Sequence, residues 1–392
     1  MLREEIVITQ GYRTPIGNFN GSLARFSAAD LGKIVLKKVL ETSTIAPAEV
    51  SEVIMGQVLT AVCGQNPVRQ AAINAGIPET VPAWLINQVC GSSLKSVILG
   101  FESIFCSRNN IVIAGGQESM SQSKHAAHIR TGVKMGQAHL LDTMISDGLT
   151  DSFSQVHMGI TAENIAEKFN ISRQEQDEFA LLSQYKALNA QKKFSDEIVP
   201  ITLSSRSGET IFNQDEFIKA DISLDKLSLL KPAFKQDGTV TAGNASGIND
   251  GAAAVMIMKL SEARKRNIKP LVAIKSYAVS GVDPQIMGIA PVTASKNALA
   301  KAGWGVDELE LIESNEAFAV QAIYVNKEMG WDINRVNVNG GAVALGHPIG
   351  ASGARILVTL IYEMKRSRAK KGLATLCVGG GMGVAMCLEN ID

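Results

Sequence analysis

Apolar and polar positions along this chain follow two periods, in an order that recurs. Residues 28–58 combine an amphipathic helical spacing, a turn and a short apolar strand. The same order of helix, turn and strand returns at 293–317. Strands and helices that alternate in this way predict an α/β fold in which the strands are buried between layers of helices.

The recurrence extends further and indicates a duplication. Residues 49–54 match 307–312, residues 90–104 match 350–364, and residues 111–116 match 375–380, at offsets of 258, 260 and 264 residues. Three matches in one order, with so little drift in offset, predict two homologous halves built from the same alternation of strands and helices.

The first half carries an insertion that the second half lacks. In the second half a glycine run leads directly into an apolar strand, whereas in the first half residues 120–249 intervene before the comparable strand at 251–258. Within the insertion, Ser172 precedes a helical pattern and is its predicted N-cap. The predicted domains are an N-terminal half (1–119 plus 250–270), an inserted domain (120–249) and a C-terminal half (271–392).

Composition narrows the classes of function. Lys and Arg total 38 and Asp and Glu total 38, and this balance disfavours a nucleic-acid partner. A hydrophobic share of 46% argues against disorder. Apolar runs of membrane-spanning length are missing, and acids occupy the start of the chain where a targeting peptide would be basic. We therefore expect no membrane partner and a cytoplasmic location.

Two of the five cysteines stand where a thiol could react. The cysteines form no CxxC pair and are odd in number, which favours neither a zinc site nor a disulfide framework. Cys90 lies at a predicted strand-to-helix junction, where the positive helix end is expected to lower the thiol pKa below its usual value of about 8.5. Cys377 ends an apolar strand before a glycine cluster. Taken singly, each also fits a small buried core residue.

His347 and Asn315 join the two thiols as candidates by position. His347 lies in a glycine-rich loop before the helix that the duplication pairs with the Cys90 helix, and Asn315 follows a second-half strand. Alone, the first fits a surface or capping residue and the second a turn. The glycine cluster at 379–383, close after Cys377, lacks the final glycine of a dinucleotide-binding loop, so it does not predict a dinucleotide site. A pseudo-twofold axis between the halves would bring His347 towards Cys90. Together with the Cys377 thiol and the Asn315 amide at strand ends around the same centre, this predicts an active site.

Nine segments resemble the signature blocks of the thiolase family, and they run through essentially the whole chain. Four contain the candidate residues: VCGSSLKSV around Cys90, NEAFA at 315–319, GGAVALGHPIGASG at 340–353 and CVGGGMG at 377–383. The others are RTPIG at 13–17, GGQESMS at 115–121, DGLTD at 147–151, HMGITAENIA at 157–166 and TAGNASGINDGAA at 241–253. The resemblance implies duplicated βαβαβαββ halves, layered αβαβα, with an inserted loop domain.

The resemblance is greatest to short-chain members, which reversibly condense two acetyl-CoA molecules into acetoacetyl-CoA and CoA. It implies that Cys90 carries the acetyl group as a thioester after His347 accepts the thiol proton, and that Cys377 removes the α-proton of the second acetyl-CoA. His347 and a water held by Asn315 would stabilise the enolate oxygen, and the backbone amides of Cys90 and Gly379 the tetrahedral oxygen. CoA and acetyl-CoA enter as substrates and products, with no tightly bound cofactor and no metal.

The resemblance also assigns a CoA channel and an assembly. The implied CoA-binding residues are Leu149, His157, Met158, Lys219, Phe234, Ala242, Ser246, Met287, Ala317 and Phe318. Three positions depart from the family pattern: Lys219 replaces a frequent Arg and so loses its bidentate fork, Lys226 replaces a small hydroxyl residue, and Ser93 replaces a frequent glycine. Residues 123–145 resemble the loop that joins thiolase dimers, which implies a homotetramer formed as a dimer of dimers.

Two other functions stay open from the sequence. A 3-ketoacyl-CoA thiolase of fatty-acid breakdown would carry the same catalytic residues with a roomier acyl pocket, and the HMG triplet at 157–159 favours the short-chain branch by resemblance. A non-catalytic acyl-CoA-binding relative would be expected to lack a catalytic residue. A ketoacyl synthase would need histidine at the position of Asn315.

Overall fold

The computed structural model describes residues 4–206 and 208–391 and resolves the alternating pattern into strands and helices. The strands are β1 (Ile6–Arg13), β2 (Gly17–Asn18), β3 (Glu52–Gly56), β4 (Ala83–Ile86), β5 (Ile111–Ser119), β6 (His125–Ala126), β7 (Leu141–Asp142), β8 (Ile201–Ser205), β9 (Gly208–Phe212), β10 (Asn249–Lys259), β11 (Val272–Gly281), β12 (Leu311–Ser314), β13 (Lys371–Val378) and β14 (Met382–Glu389).

The α-helices complete the alternation. They are α1 (Ala28–Thr42), α2 (Pro67–Asn74), α3 (Ser92–Phe105), α4 (Met158–Phe169), α5 (Arg173–Ala190), α6 (Leu224–Ser228), α7 (Leu260–Lys265), α8 (Ala290–Ala302), α9 (Ala319–Met329), α10 (Ala342–Leu345) and α11 (Ser352–Ser367). Short 3₁₀ segments lie at Pro47–Glu49, Met120–Gln122, Lys193–Asp196, Pro284–Ile289, Val306–Glu308 and Ile333–Arg335, and a π segment at Met144–Leu149.

Ten strands form one mixed sheet that runs through both halves. The order is β12-β13-β14-β11-β1-β10-β5-β3-β4, and the short β2 pairs with β10. The two halves join where β1 pairs antiparallel with β11, through Val7 opposite Ala273 and Ile8 opposite Val272. Among the described strands of this sheet, β3 pairs in parallel with β4 and β5, and β12 pairs in parallel with β13. The carboxyl ends of β12 and β13 therefore meet at one edge.

The helices form three layers around the two arms of this sheet. Helices α3 and α11 lie between the arms, where Leu94, Val97 and Leu357 pack with strand residues from both halves. Helices α1 and α2 cover the outer face of the first arm, and α8 and α9 cover the outer face of the second. This sequence of layers confirms the predicted αβαβα arrangement.

The two halves differ at one strand. The predicted βαβαβαββ order is complete in the first half, but the second half has only a single bridge, between Ile312 and Val336, where the first half has β4. The backbone of Asn337 turns left-handed at φ 44° and ends the pairing. The side-chain amide of Asn337 then makes the hydrogen bonds to β12 that a paired strand would make. Its oxygen accepts from the Ser314 N–H at 2.9 Å, and its nitrogen donates to the Ser314 carbonyl at 2.8 Å.

The segment between β5 and β10 contains the hairpins β6–β7 and β8–β9 and helices α4, α5 and α6. The Ser172 hydroxyl accepts from the Glu175 N–H, and the Glu175 carboxylate accepts from the Ser172 N–H, which confirms the predicted cap of α5. Helix α5 packs on α9 and α10, and α4 packs on α9. Within residues 4–206 and 208–391, no helix is both long and apolar enough to cross a membrane.

Candidate active site

A strained turn presents Cys90 at the start of α3. The β-branched residue Val89 has a positive φ of 45°, a conformation that costs about 1–3 kcal/mol. Local hydrogen bonds hold the turn: the Val89 N–H donates to the Asn87 side chain at 2.9 Å, and the Ser92 hydroxyl donates to the Val89 carbonyl at 2.6 Å. The Cys90 side chain is thereby fixed just before the helix.

Burial reverses the expected pKa shift of Cys90. Loss of hydration raises the thiol pKa to about 11, although hydrogen bonds from the Gly379 N–H and from its own N–H act in the opposite direction. The expectation that the helix end would lower the thiol pKa was therefore wrong, because desolvation outweighs the helix end. The unliganded site holds a neutral thiol, which needs a base for activation.

Cys377 lies at the end of β13, close to Cys90. The side chain is fully buried in a cluster with Met287 and Phe318. Burial raises the pKa of the Cys377 thiol strongly, and the neighbouring Cys90 sulfur raises it further. The two thiols thus form a buried, protonated pair at one end of the sheet.

His347 is fixed in a loop between α10 and α11. Its backbone N–H donates to the Asn249 side chain at 3.0 Å, and Gly346, at φ 103°, packs directly against that same side chain. Burial, followed by the positive charge of Arg355, lowers the pKa of His347 to about 3. The imidazole is therefore neutral at physiological pH, and its Nε2 has no hydrogen-bond partner among the described residues.

Asn315 extends β12 by one residue. Its N–H donates to the Thr375 carbonyl at 2.9 Å, which brings it to the same strand end as Cys377 on the parallel neighbour β13. The side chain is 1% exposed, and neither its amide nitrogen nor its amide oxygen has a partner within the described part of the chain. A buried amide of this kind is available to a ligand or a water molecule.

A cavity of about 590 Å³ leads to this site. Cys90 and His347 line it, together with all ten residues predicted to bind CoA: Leu149, His157, Met158, Lys219, Phe234, Ala242, Ser246, Met287, Ala317 and Phe318. Cys377, Asn315 and Gly379 are not among the lining residues. Cys377 packs in one cluster with the lining residues Met287 and Phe318, and the Gly379 N–H bonds to the Cys90 sulfur. The predicted residues thus converge from both halves and the insertion.

Aromatic rings shape one wall of the cavity. His157 caps α4, where its Nδ1 accepts from the Gly159 N–H at 3.0 Å, and burial lowers the pKa of the ring. The Phe234 ring stacks on it with centroids 4.7 Å apart, and Phe318 meets Phe234 edge-on at 6.3 Å. This wall suits the apolar and amide portions of a slender chain.

The three residues that depart from the family pattern lie in three different environments. Lys219 lines the cavity and lies over the Phe217 ring, with its nitrogen 5.2 Å from the ring centroid. Lys226 is exposed and pairs with Asp221 at 2.6 Å. Ser93 is fully buried and accepts from the Ala354 N–H at 2.9 Å, so it joins α3 to α11.

Sequence reasoning missed several residues of the site. The cavity is also lined by Asn18, Phe19, Met120, Gly148, Phe217, Ala233, Ala245, Gly247, Ile248 and Ile349. Several of these residues lie in or beside the RTPIG, GGQESMS and GHPIG segments, and their position near these motifs could have identified them as lining residues. The strain at Val89 and the Asn337 side-chain ladder had no signal, because both depend on contacts between distant segments.

Fold and site together define a class of protein: a duplicated α/β protein in which a cysteine thiol and a neutral histidine line a deep cavity, with a second buried thiol behind them. Family models of the thiolase N-terminal domain and the thiolase C-terminal domain match residues 6–261 and 268–390. The chain belongs to the thiolase family.

Named relatives and a solved structure agree with this family. The chain is 60% identical to an acetyl-CoA acetyltransferase of Paracoccus denitrificans over 98% of both chains, and 56% identical to one of Rhizobium meliloti over 100% of both. A crystal structure of the Bacillus anthracis acetyl-CoA acetyltransferase superposes with a TM-score of 0.97, at 43% identity and with 99% of each chain covered.

Proposed function

We propose that the chain is an acetyl-CoA C-acetyltransferase, which reversibly condenses two acetyl-CoA molecules into acetoacetyl-CoA and CoA. The observation that carries the proposal is the convergence of Cys90, His347 and the ten candidate CoA-binding residues on one cavity. The full-length relatives named acetyl-CoA acetyltransferase support the acetyl group as the unit transferred.

In the first half-reaction, His347 accepts the proton of the Cys90 thiol through its free Nε2. The Cys90 sulfur attacks the carbonyl carbon of acetyl-CoA, a thioester forms on Cys90, and the CoA thiolate leaves with the proton from His347. Neutral partners fit this step, because an ionised pair would be costly in a buried site. A positioned base of this kind contributes about 10²–10⁴-fold to rate.

In the second half-reaction, Cys377 removes the α-proton of a second acetyl-CoA. The free Nε2 of His347 first accepts the Cys377 proton, and the raised pKa of this thiol makes the resulting thiolate a strong base. The enolate carbon attacks the acetyl carbonyl on Cys90, a carbon–carbon bond forms, and the Cys90 thiolate leaves. The Cys90 thiolate then takes the proton from the Nε2 of His347, which restores both neutral thiols and the neutral imidazole. In thiolysis the same groups act in reverse order.

Two oxyanion sites follow from the same residues. The N–H groups of Cys90 and Gly379, which already contact the Cys90 sulfur, would bind the tetrahedral oxygen. The unpartnered amide of Asn315 would hold a water molecule that, together with a protonated Nε2 of His347, stabilises the enolate oxygen. Losing one such donor costs roughly 3–4 kcal/mol.

The inserted segment would hold the CoA chain. The stacked rings of His157 and Phe234, with Phe318 beside them, would flank the pantetheine, and Met287 and Ala317 its inner end. Lys219 lines the cavity with its ammonium group above Phe217 and would attract the anionic nucleotide end as a point charge.

Thiolysis of two substrates tests this function. Acetoacetyl-CoA should be cleaved faster than a long-chain 3-ketoacyl-CoA when free CoA is supplied. Faster cleavage of the long chain would favour the 3-ketoacyl-CoA thiolase of fatty-acid breakdown, and cleavage of neither, with acyl-CoA still bound, would favour a non-catalytic relative.

Two variants separate the roles of the thiols. Cys90→Ala should abolish covalent labelling by radioactive acetyl-CoA, whereas the exposed Cys106→Ala should label normally. Cys377→Ala should still be acetylated but should fail to condense acetyl groups. Labelling of Cys90→Ala at the normal rate, or near-normal condensation by Cys377→Ala, would reassign the residue concerned.

We also propose a cytoplasmic homotetramer. Apolar side chains of the loop at 123–145 are exposed in the isolated chain: Ile129, Val133, Met135, Leu140, Leu141 and Ile145. Such a patch favours association. Sedimentation of Met135→Glu should give dimers where the parent chain gives tetramers, and an unchanged tetramer would exclude this loop from the interface.

A further inference from the structure

A serine hydroxyl stands behind the imidazole of His347. The Ser352 Oγ lies 2.5 Å from the His347 Nδ1, on the side of the ring opposite the unpartnered Nε2. The same hydroxyl donates to the Pro348 carbonyl at 2.9 Å. Both side chains are buried, at 6% and 1% exposure, so water does not compete for these contacts.

The hydrogen-bond geometry around Ser352 favours one tautomer of the ring. A serine hydroxyl has one proton, and Ser352 donates it to the Pro348 carbonyl. With that proton on the Pro348 carbonyl, the Ser352 oxygen accepts at the short contact with His347, and the matching tautomer carries the ring proton on Nδ1. The Nε2 is left with a lone pair, which is the form that can accept a proton.

The fold holds this hydroxyl in place. Ser352 is the first residue of α11, and the preceding Ala351 N–H donates to the Pro348 carbonyl at 2.8 Å. At the offset of 260 residues, its counterpart in the first half is Ser92, whose hydroxyl likewise donates back to the turn, to the Val89 carbonyl. Both halves use a serine to close the turn, but only the second half places a histidine on it.

We propose that Ser352 is a positioning residue that holds His347 as the Nδ1–H tautomer, so that Nε2 is free to accept the Cys90 proton. The catalytic consequence rests on the proposed function. During acetylation, Nε2 gains the proton that the Cys90 sulfur loses, and Nδ1 keeps its proton on the Ser352 oxygen. The Nε2 proton then passes to the CoA thiolate, and the starting tautomer returns.

The choice of a hydroxyl in place of a carboxylate has a consequence for charge. A carboxylate on Nδ1 would stabilise an imidazolium, whereas the neutral Ser352 oxygen does not. The buried guanidinium of Arg355, one turn further along α11, disfavours positive charge on the ring. His347 is thus kept neutral between turnovers and is charged only while it carries a proton taken from a cysteine thiol.

Nitrogen-15 solid-state NMR of protein labelled at the histidine rings tests the tautomer without substrate. His347→Asn identifies the His347 signals among those of the five histidines. The parent chain should show a protonated Nδ1 and an unprotonated Nε2. Ser352→Ala should shift the ring towards Nε2–H, while Ser96→Ala, which removes a buried hydroxyl bonded only to the Ser93 and Gly115 carbonyls, should not. An Nε2–H tautomer in the parent chain would overturn the proposal.

Rapid-quench acetylation by acetyl-CoA gives the second readout. Ser352→Ala should lower the acetylation rate by about 10²-fold with little change in KM, and Ser352→Thr, which keeps the hydroxyl, should recover much of the rate. An unchanged rate in Ser352→Ala would overturn the proposal. If the parent chain shows the expected tautomer but is not acetylated, the proposed function fails while the hold of Ser352 on the ring stands.

Discussion

The carboxylate of Glu118 accepts a hydrogen bond from the Gly350 N–H at 2.9 Å, across the boundary between the two halves. Glu118 lies on β5, and Gly350 lies in the loop that carries His347. The same carboxylate accepts from the Val58 and Leu59 N–H groups. One buried side chain therefore ties the loop of the candidate base to the first half.

Removal of this carboxylate should destabilise the fold. Glu118→Ala leaves three buried N–H groups without their acceptor, at about 1–3 kcal/mol for each group that water cannot reach. We expect a loss of at least about 3 kcal/mol in the free energy of unfolding, measured by urea denaturation. A loss of less than about 1 kcal/mol in the free energy of unfolding would show that the three hydrogen bonds of Glu118 do not stabilise the fold.

Glu118→Gln should show a pH-dependent cost. Burial raises the folded-state pKa of Glu118 to about 7 from its usual 4.5, so between these values the folded chain binds more protons than the unfolded chain. This group's contribution to stability is present below about pH 4.5 and is lost as pH rises to about 7. The cost of Glu118→Gln, which cannot titrate, should therefore shrink from pH 5 to about pH 8. A cost that grows over that range would contradict the shift.

Alkylation of Cys90 should follow its raised pKa. In a Cys106→Ser background, the rate constant for iodoacetamide should keep rising through neutral pH, because the thiol pKa is about 11. The measurement is a pH–rate profile with labelled peptide recovery. A profile that levels off below the ordinary thiol pKa of about 8.5 would mean that a thiolate is preformed.

A methyl group at Gly159 should disturb the wall of the cavity. A Cβ there would lie 2.2 Å from the Phe234 ring, which stacks on His157. We expect Gly159→Ala to raise KM for acetyl-CoA about tenfold, since overpacking of this kind costs roughly 1–3 kcal/mol. Gly281→Ala is the matched control, because its nearest neighbour would be 4.0 Å away. Equal KM values in the two variants would show that the Phe234 side of the cavity does not contribute to acetyl-CoA binding.

The sequence predicted most of the fold, for reasons visible in particular elements. Helical spacing and duplicated segments were enough for the α/β class, whereas the αβαβα layers came from the family resemblance. The Ser172 cap follows from local hydrogen bonds alone. The missing strand of the second half was not predictable, because the Asn337 side chain replaces the ladder only after Ser314 is in place. The domain boundaries remain predictions.

The sequence predicted part of the lining of the cavity but not the protonation of its groups. Position along the chain was enough to bring Cys90 and His347 to one cavity. The direction of the Cys90 pKa shift depends on how completely other segments exclude water from the thiol. The sequence indicates the helix end, which lowers the thiol pKa, but it does not show the burial, which raises the pKa by more.

The central claim is thiolase catalysis at this cavity, and the most direct measurement is the enolate absorbance of acetoacetyl-CoA after CoA is added. The parent chain should remove the absorbance with formation of two acetyl-CoA per acetoacetyl-CoA, and Cys90→Ala should leave it unchanged. Stable absorbance with the folded parent chain would contradict the account, as would equal decay with Cys90→Ala.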